Sequence, residues 1–235
     1  MIDYIEGHTL LINKPLKWTS FDVVKKIRNT LRTTLKIKKI KVGHAGTLDP
    51  LADGLLIVCT GKFTKHINEF QAKEKEYTAE FTLGATTPSF DLETEVNETF
   101  DYKHLTEDML KKTAKSLTGN IIQTPPIYSA IKQNGKRLYE HARKGENIKI
   151  KKRIVNVSKF EIVKLEMPKV YFKIVCSKGT YVRSLAHSFG KNLNNGAHLS
   201  QLTRTRIGKF KLSKAIDIQE FIDSLSKINN QVSEH

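Results

Sequence analysis

Hydrophobic side chains recur at intervals of three or four residues in four segments of the chain, and this spacing predicts amphipathic helices. The predicted helices cover residues 20–32, 106–117, 181–189 and 217–228. Thr19 and Ser20 supply a typical start for the first helix, whose polar face is rich in lysine and arginine. A polar tail follows the last helix, and we expect this tail to fray.

Alternation of apolar and polar residues predicts strands in two further segments, residues 77–83 and 170–176. Strands and helices are mixed along the chain without a regular βαβ rhythm, which disfavours a Rossmann arrangement. We therefore expect an α+β fold built on a mixed, mainly antiparallel central sheet that is flanked by helices. The 235 residues suffice for one large domain or two small ones with a buried core.

The chain is strongly basic, with 40 lysine and arginine residues against 24 aspartate and glutamate residues, a net charge of +16. Such a surplus implies a polyanionic partner, either nucleic acid or an anionic membrane surface. No apolar run approaches the roughly 18 residues that span a bilayer, and the first residues lack the pattern of a signal peptide. We therefore expect a nucleic-acid partner, no membrane association and a cytoplasmic location.

The two cysteines, Cys59 and Cys176, lie in apolar, strand-like runs, where free cysteine usually behaves as a small buried hydrophobic residue. The sequence contains neither a CxxC nor an HExxH pattern. We therefore expect no disulfide and no bound metal ion.

Residues 43–54, with the sequence GHAGTLDPLADG, suit neither an amphipathic helix nor a half-buried strand. The glycines allow a close backbone approach, and Pro50 biases the preceding Asp49 toward an extended conformation. This pattern predicts a rigid loop that presents one carboxylate for chemistry. The alternative is that Asp49 caps a turn before Pro50, a frequent role for aspartate.

This loop, followed by the strand-like KEYTAEFTLG, resembles the catalytic motif of the TruB family of tRNA pseudouridine synthases. Three further blocks resemble the same family in the same order, and four ordered blocks are far more specific than one. These blocks are residues 13–15 (NKP) with residues 19–20 (TS), residues 176–183 (CSKGTYVR) and residues 199–205 (LSQLTRT).

The resemblance implies a pseudouridine synthase fold with a catalytic cleft across the sheet and, from residue 1 to residue 235, a single catalytic domain. It also implies a mobile RNA-binding insertion at about residues 124–152, where aromatic side chains alternate with lysine and arginine. The bland alternative for this segment is a helix with a solvated basic face. Family members commonly carry a C-terminal PUA domain, but only about thirty residues follow Arg204, so we expect that domain to be absent.

The activity that the resemblance implies is conversion of the T-loop uridine of tRNA, at conventional position 55, to pseudouridine. The reaction needs no cofactor, and we expect a monomer. Asp49 matches the catalytic aspartate, acting as a nucleophile on the sugar or the base or abstracting a ribose proton. Tyr77 matches the tyrosine that stacks on the target base and assists proton removal, and Arg183 matches the arginine that pairs with the aspartate. An ordinary core tyrosine and a surface arginine are the alternatives.

Six further residues are predicted to contribute to substrate binding. His44 and Leu202 match residues that replace or contact the flipped base, and Lys14 matches a motif that supports the active-site loop. Arg204 is expected to extend a basic surface stripe near the cleft, and the insertion supplies Lys132 and Arg137.

Two other functions remain open. A non-catalytic RNA-binding or tRNA-folding module would use the same basic surface, but it gains nothing from a carboxylate that faces phosphates. A generic basic protein, such as a ribosomal or DNA-binding component, would explain the charge but would leave the Asp49 loop unexplained.

Overall fold

The structure, a computed structural model, describes residues 3–133, 135–146 and 148–232, with side chains up to residue 226. Its strands are β1 (Thr9–Lys14), β2 (Val42–His44), β3 (Asp53–Thr60), β4 (Lys75–Leu83), β5 (Ala85–Thr86), β6 (Glu98–Thr99), β7 (Gly119–Gln123), β8 (Lys132–Gln133), β9 (Lys136–Arg137), β10 (Arg153–Glu166), β11 (Lys169–Cys176), β12 (Ala197–Ile207) and β13 (Phe210–Lys211). Its α-helices are α1 (Ser20–Thr34), α2 (Ile67–Ala72), α3 (Glu107–Ser116), α4 (Leu138–Arg143), α5 (Val182–Asn192) and α6 (Ile218–Val232).

The chain divides into two compact units, and strands β4 and β12 each contribute residues to both. The first unit consists of Met1–Glu76 and Thr203–His235, and the second of Tyr77–Leu202. The expectation of one domain over the whole chain stays a prediction. No helix in the described ranges is long and apolar enough to cross a membrane.

Strand β3 is the centre of the first unit. It pairs antiparallel with β1 and β2 and parallel with the end of β12. Its run LLIVC is buried throughout because both faces are covered: Leu56 and Val58 pack in a core with α1 and α6, and Leu55 and Ile57 pack in a second core with α2. A continuous apolar run is what a strand covered on both faces requires.

Helix α1 begins where the sequence predicts. Thr19 is the N-cap, and its side chain accepts from the backbone N–H of Asp22 while the Asp22 carboxylate accepts from the backbone N–H of Thr19. This reciprocal pair satisfies donors that the first helical turn leaves free. The apolar stripe of α1 is buried, and most of its lysine and arginine side chains are exposed.

In the second unit, the strand order is β12, β4, β11, β10 and β7, with β10 antiparallel to both β11 and β7. Four phenylalanine rings form its core, with Phe172 at 4.5, 4.7 and 5.1 Å between ring centroids from Phe81, Phe160 and Phe189. Phe189 belongs to α5, so this cluster fixes α5 on the sheet. Aromatic pairs at such distances add stabilisation to that of the buried area alone.

The α+β fold with a mixed, mainly antiparallel sheet and flanking helices is confirmed. The strand predicted at residues 77–83 begins two residues earlier, at Lys75, and both cysteines are buried as expected. The last helix extends about four residues past its predicted end near residue 228, because α6 continues to Val232 through a segment that includes no proline or glycine. The final three residues of the expected tail lie outside the described residues.

Candidate active site

The Asp49 loop, residues 45–52, connects β2 to β3 in the first unit. Asp49 is half-buried, and its backbone carbonyl accepts a hydrogen bond of 3.1 Å from the N–H of Ala52. On the N-terminal side, the hydroxyl of Ser20 accepts from the N–H of Leu48 at 2.9 Å and donates to the carbonyl of Leu48 at 3.1 Å. Ser20 is only 2% exposed, so both polar groups of the residue before Asp49 are satisfied by one buried side chain.

Arg204 stabilises the same loop through hydrogen bonds to its backbone. Its guanidinium donates to the carbonyls of Leu55 at 2.7 Å, Gly46 at 3.1 Å and Thr47 at 3.3 Å. Just after the loop, the start of β3 approaches the Arg204 backbone so closely that a Cβ on Gly54 would lie 2.5 Å from the Arg204 carbonyl oxygen, and Gly54 also has φ +98°. Only glycine combines that conformation with that approach.

The expectation that Arg204 extends an exposed basic stripe is therefore wrong. The residue is 1% exposed, and its donors point to backbone carbonyls of the loop and of β3. A buried guanidinium is stable only when its donors are satisfied, and the curved loop supplies the acceptors that do so. Arg204 is a positioning residue for the Asp49 loop.

Lys14 lies at the end of β1 and is fully buried. Its ammonium donates to the carbonyls of Pro15 at 2.9 Å and Trp18 at 2.6 Å. Burial lowers the pKa of Lys14 to about 8, while the carboxylates of Asp53 and Asp49 oppose that shift. These contacts fix the turn between β1 and α1 and leave the ammonium no exposed surface for RNA, so direct binding of RNA by Lys14 is contradicted, while its support of the Asp49 loop stays a prediction.

His44, in β2, immediately precedes the loop and is half-buried. Burial and, secondly, the positive charge of Arg204 lower the pKa of His44, against a smaller contribution from the backbone of Gly46 that raises it. The ring is therefore neutral at pH 7, a form that suits packing near a nucleobase.

The second unit holds Arg183, on the first turn of α5, in a buried polar cluster. Its Nη1 donates to the Tyr128 carbonyl at 2.9 Å, and its Nε lies 3.5 Å from a carboxylate oxygen of Asp91. Arg183 is 3% exposed and Asp91 4% exposed, so this is a buried ion pair and not a surface arginine. A guanidinium can hold several acceptors at once in a fixed plane.

Asp91 is a residue that the sequence analysis did not single out. Its other carboxylate oxygen accepts from the N–H of Glu93 at 3.0 Å, and its carbonyl accepts from the hydroxyls of Thr87 at 2.6 Å and Ser89 at 3.2 Å. These contacts fix the carboxylate in a turn rich in hydroxyl side chains. The run of Thr, Ser and Asp residues in the sequence could have indicated this polar turn, but it does not identify a partner on α5.

The remaining predicted residues of the second unit differ in exposure. Tyr77, in β4, and Leu202, in β12, are buried with 8% exposure each. Lys132 and Arg137 are exposed and pair with each other in the β8–β9 hairpin, which lies in the predicted insertion. The insertion thus combines a short hairpin with helix α4, and its cations face solvent.

A family model described as "TruB family pseudouridylate synthase (N terminal domain)" matches residues 32–182. A protein of Flavobacterium johnsoniae named tRNA pseudouridine synthase B is 54% identical over 224 residues, which cover 95% of this chain and 98% of that protein. The protein of the same name from Parabacteroides distasonis is 50% identical over 226 residues, 96% of each chain.

Among solved structures, a chain in the crystal structure of a Cbf5–Nop10–Gar1 complex has a TM-score of 0.70 and 31% identity. The match covers 94% of this chain and 54% of the other, so this chain spans about half the length of its structural relative. Because the family model matches more than half of the sequence and relatives half identical to it extend over nearly its whole length, this chain belongs to the TruB family of pseudouridylate synthases.

Proposed function

We propose that this chain is a tRNA pseudouridine synthase that isomerises the T-loop uridine at conventional position 55. The names and identities of its bacterial relatives support this function. The observation that carries the proposal is the Asp49 loop, in which one half-buried carboxylate follows a backbone that buried Ser20 and Arg204 hold through Leu48 and Gly46, while Arg204 also holds Leu55 in β3. Fixing a reactive carboxylate in advance lowers the cost of reaching the transition state.

The proposed reaction rearranges one nucleoside without adding or removing atoms. The bond between ribose C1′ and base N1 breaks, the base rotates, and a new bond forms between C1′ and C5. The proton on C5 leaves, and N1 gains one. No electron acceptor or second substrate is consumed, so we propose that the enzyme works without a cofactor or metal ion.

We assign three residues to the chemistry. Asp49 supplies the carboxylate that attacks the sugar or the base or removes a ribose proton. Tyr77 supplies a ring that stacks on the base and a hydroxyl that assists loss of the C5 proton. Arg183 supplies the permanent positive charge that keeps a carboxylate ionised.

RNA binding is proposed to depend on the basic insertion and the net charge of +16. A base must leave its stack to react, at a cost of a few kcal/mol that protein contacts must offset. Lys132 and Arg137 are exposed and suit phosphate contacts, whereas His44 and Leu202 suit contacts to the flipped base. We further propose that the enzyme acts as a monomer in the cytoplasm.

The test uses a T-arm stem-loop RNA and three proteins: the wild type, Asp49→Asn, and Asp223→Asn as a control on the exposed face of α6. We expect pseudouridine from the wild type and the control. Asp49→Asn should bind the RNA within about twofold of the wild type and form no product, because the amide keeps the shape and loses the nucleophilic charge.

Product formation by Asp49→Asn would contradict the role of the carboxylate. RNA binding without product by the wild type would instead favour a non-catalytic RNA-binding module.

A further inference from the structure

A surface pocket of about 430 Å³ lies along the outer face of α1, in the first unit. Its lining residues come from the turn before α1 and from the first three turns of the helix. They are Lys17, Trp18, Asp22, Lys25, Lys26 and Asn29. The four helical residues lie at relative positions 0, 3, 4 and 7, which places them on one stripe of the helix.

The pocket is positively charged. It contains three lysines, which are exposed, and one aspartate. Asp22 is already engaged in capping α1, where it accepts from the hydroxyl of Thr19 at 2.6 Å and from its N–H at 2.9 Å. These bonds lower the pKa of Asp22, so the aspartate stays ionised and the pocket carries a net charge of two positive units.

Trp18 gives the pocket an aromatic surface held in place from behind. The side chain is half-buried and packs partly against the core formed by β1, β3, α1 and α6. Its carbonyl accepts from the buried ammonium of Lys14 at 2.6 Å. The ring is therefore a fixed platform, which costs little entropy when a second ring stacks on it.

Lys17 connects the pocket to the Asp49 loop. It has φ +67°, a conformation that is strained for any residue with a side chain, and its N–H donates to the carbonyl of Pro50 at 2.7 Å. The residue next to Asp49 is thus bonded to the rim of the pocket. A ligand in the pocket lies at one end of the loop that carries the proposed catalytic carboxylate.

We propose that this pocket binds an unpaired nucleotide of the substrate RNA, with the base stacked on Trp18 and its phosphates beside Lys25 and Lys26. A rigid aromatic surface beside lysines is the combination that binds single-stranded nucleic acid. Asn29 adds an amide that can donate to and accept from a base edge. The inference rests on the proposed function, because it takes the substrate of that function to be RNA.

Trp18 is the single tryptophan of the chain, so its fluorescence reports on this pocket directly. The T-arm stem-loop is titrated into the wild-type protein while emission and bound RNA are measured in parallel. We expect quenching that follows the binding curve, because a stacked base quenches indole emission. Binding with unchanged emission would overturn the proposal.

Two sets of variants test the contribution to binding. Trp18→Leu keeps apolar packing and removes the stacking surface, so KM for the RNA should rise about tenfold. Lys25→Gln with Lys26→Gln should raise KM and reduce the slope of log Kd against log salt by about 1.4, the loss of two phosphate contacts. For both sets kcat at saturating RNA should stay within about twofold.

Lys103→Gln with Lys115→Gln is the matched control. Both lysines are exposed in the second unit, and replacing them removes the same amount of positive charge as the pocket double variant. An equal effect of the control and the pocket double variant would contradict the proposal. The proposed function fails separately, because it requires product from the wild type, whereas the pocket requires quenching and a raised KM.

Discussion

Replacing Ser20 with alanine tests whether the Asp49 loop is held by that one buried hydroxyl. The substitution removes two hydrogen bonds, 2.9 and 3.1 Å long, and leaves the N–H of Leu48 without its acceptor. Because Ser20 is 2% exposed, water replaces the hydroxyl poorly. An orphaned buried donor costs about 1–3 kcal/mol, so the free energy of unfolding should fall by roughly 2 kcal/mol.

The same substitution should also lower the activity of the folded protein. A stability loss of this size should lower the midpoint of thermal unfolding by about 4–8 °C in a chain of this length, so the variant stays folded at 25 °C. Leu48 is the residue before Asp49, and a displacement of the carboxylate by about 1 Å can cost up to about 100-fold in rate. We therefore expect kcat to fall by about 10- to 100-fold, with KM for the RNA nearly unchanged.

The assay combines urea unfolding with single-turnover pseudouridine formation on a T-arm stem-loop. Ser226→Ala is the matched control, because Ser226 is an exposed serine of α6 whose hydroxyl donates to the carbonyl of Ile222 in the same helix. If Ser20→Ala and Ser226→Ala behave alike in both measurements, the loop is not held by this hydroxyl and the reasoning is refuted.

Two further predictions concern buried charges. Asp91→Asn removes the carboxylate 3.5 Å from the Arg183 guanidinium, and because both residues are buried the free energy of unfolding should fall by about 3 kcal/mol and turnover should drop; the checks are urea unfolding and the same activity assay. Lys14 predicts a pH dependence: its folded pKa of about 8 lies below its unfolded value near 10.5, so the unfolded chain holds one more proton between these values. The stability contributed by this group should therefore rise with pH from about 8 to 10.5, by roughly 1 kcal/mol per pH unit, relative to Lys14→Met.

Each of these two predictions has an outcome that contradicts it. An Asp91→Asn protein with wild-type stability and turnover would show that the 3.5 Å contact contributes nothing. For Lys14, equal slopes of unfolding free energy against pH in the wild type and Lys14→Met would show that the ammonium is not desolvated in the folded state.

Part of the candidate site could be predicted because its signals are local. Glycines and a proline within twelve residues predict the loop at Asp49. Thr19 and its acidic partner three residues later predict the start of α1. The mechanical support of the loop could not be predicted. From the sequence, Arg204 could equally be an exposed residue of a basic stripe or a buried residue that supports the loop, since its acceptors lie about 150 residues away in the chain.

The sequence by itself determined the class of fold, the start of α1 and the loop that presents Asp49, because hydrophobic period, capping residues and turn residues act over a few positions. Only the tertiary structure decided which charged side chains are buried. Arg204 and the pair of Arg183 and Asp91 leave solvent because folding brings carbonyls and carboxylates to them from distant segments, whereas buried Lys14 donates to the carbonyls of Pro15 and Trp18, one and four residues along the chain. Such partners offset the cost of desolvating a charge, and for Arg204 and Arg183 no pattern along one segment of the sequence identifies them.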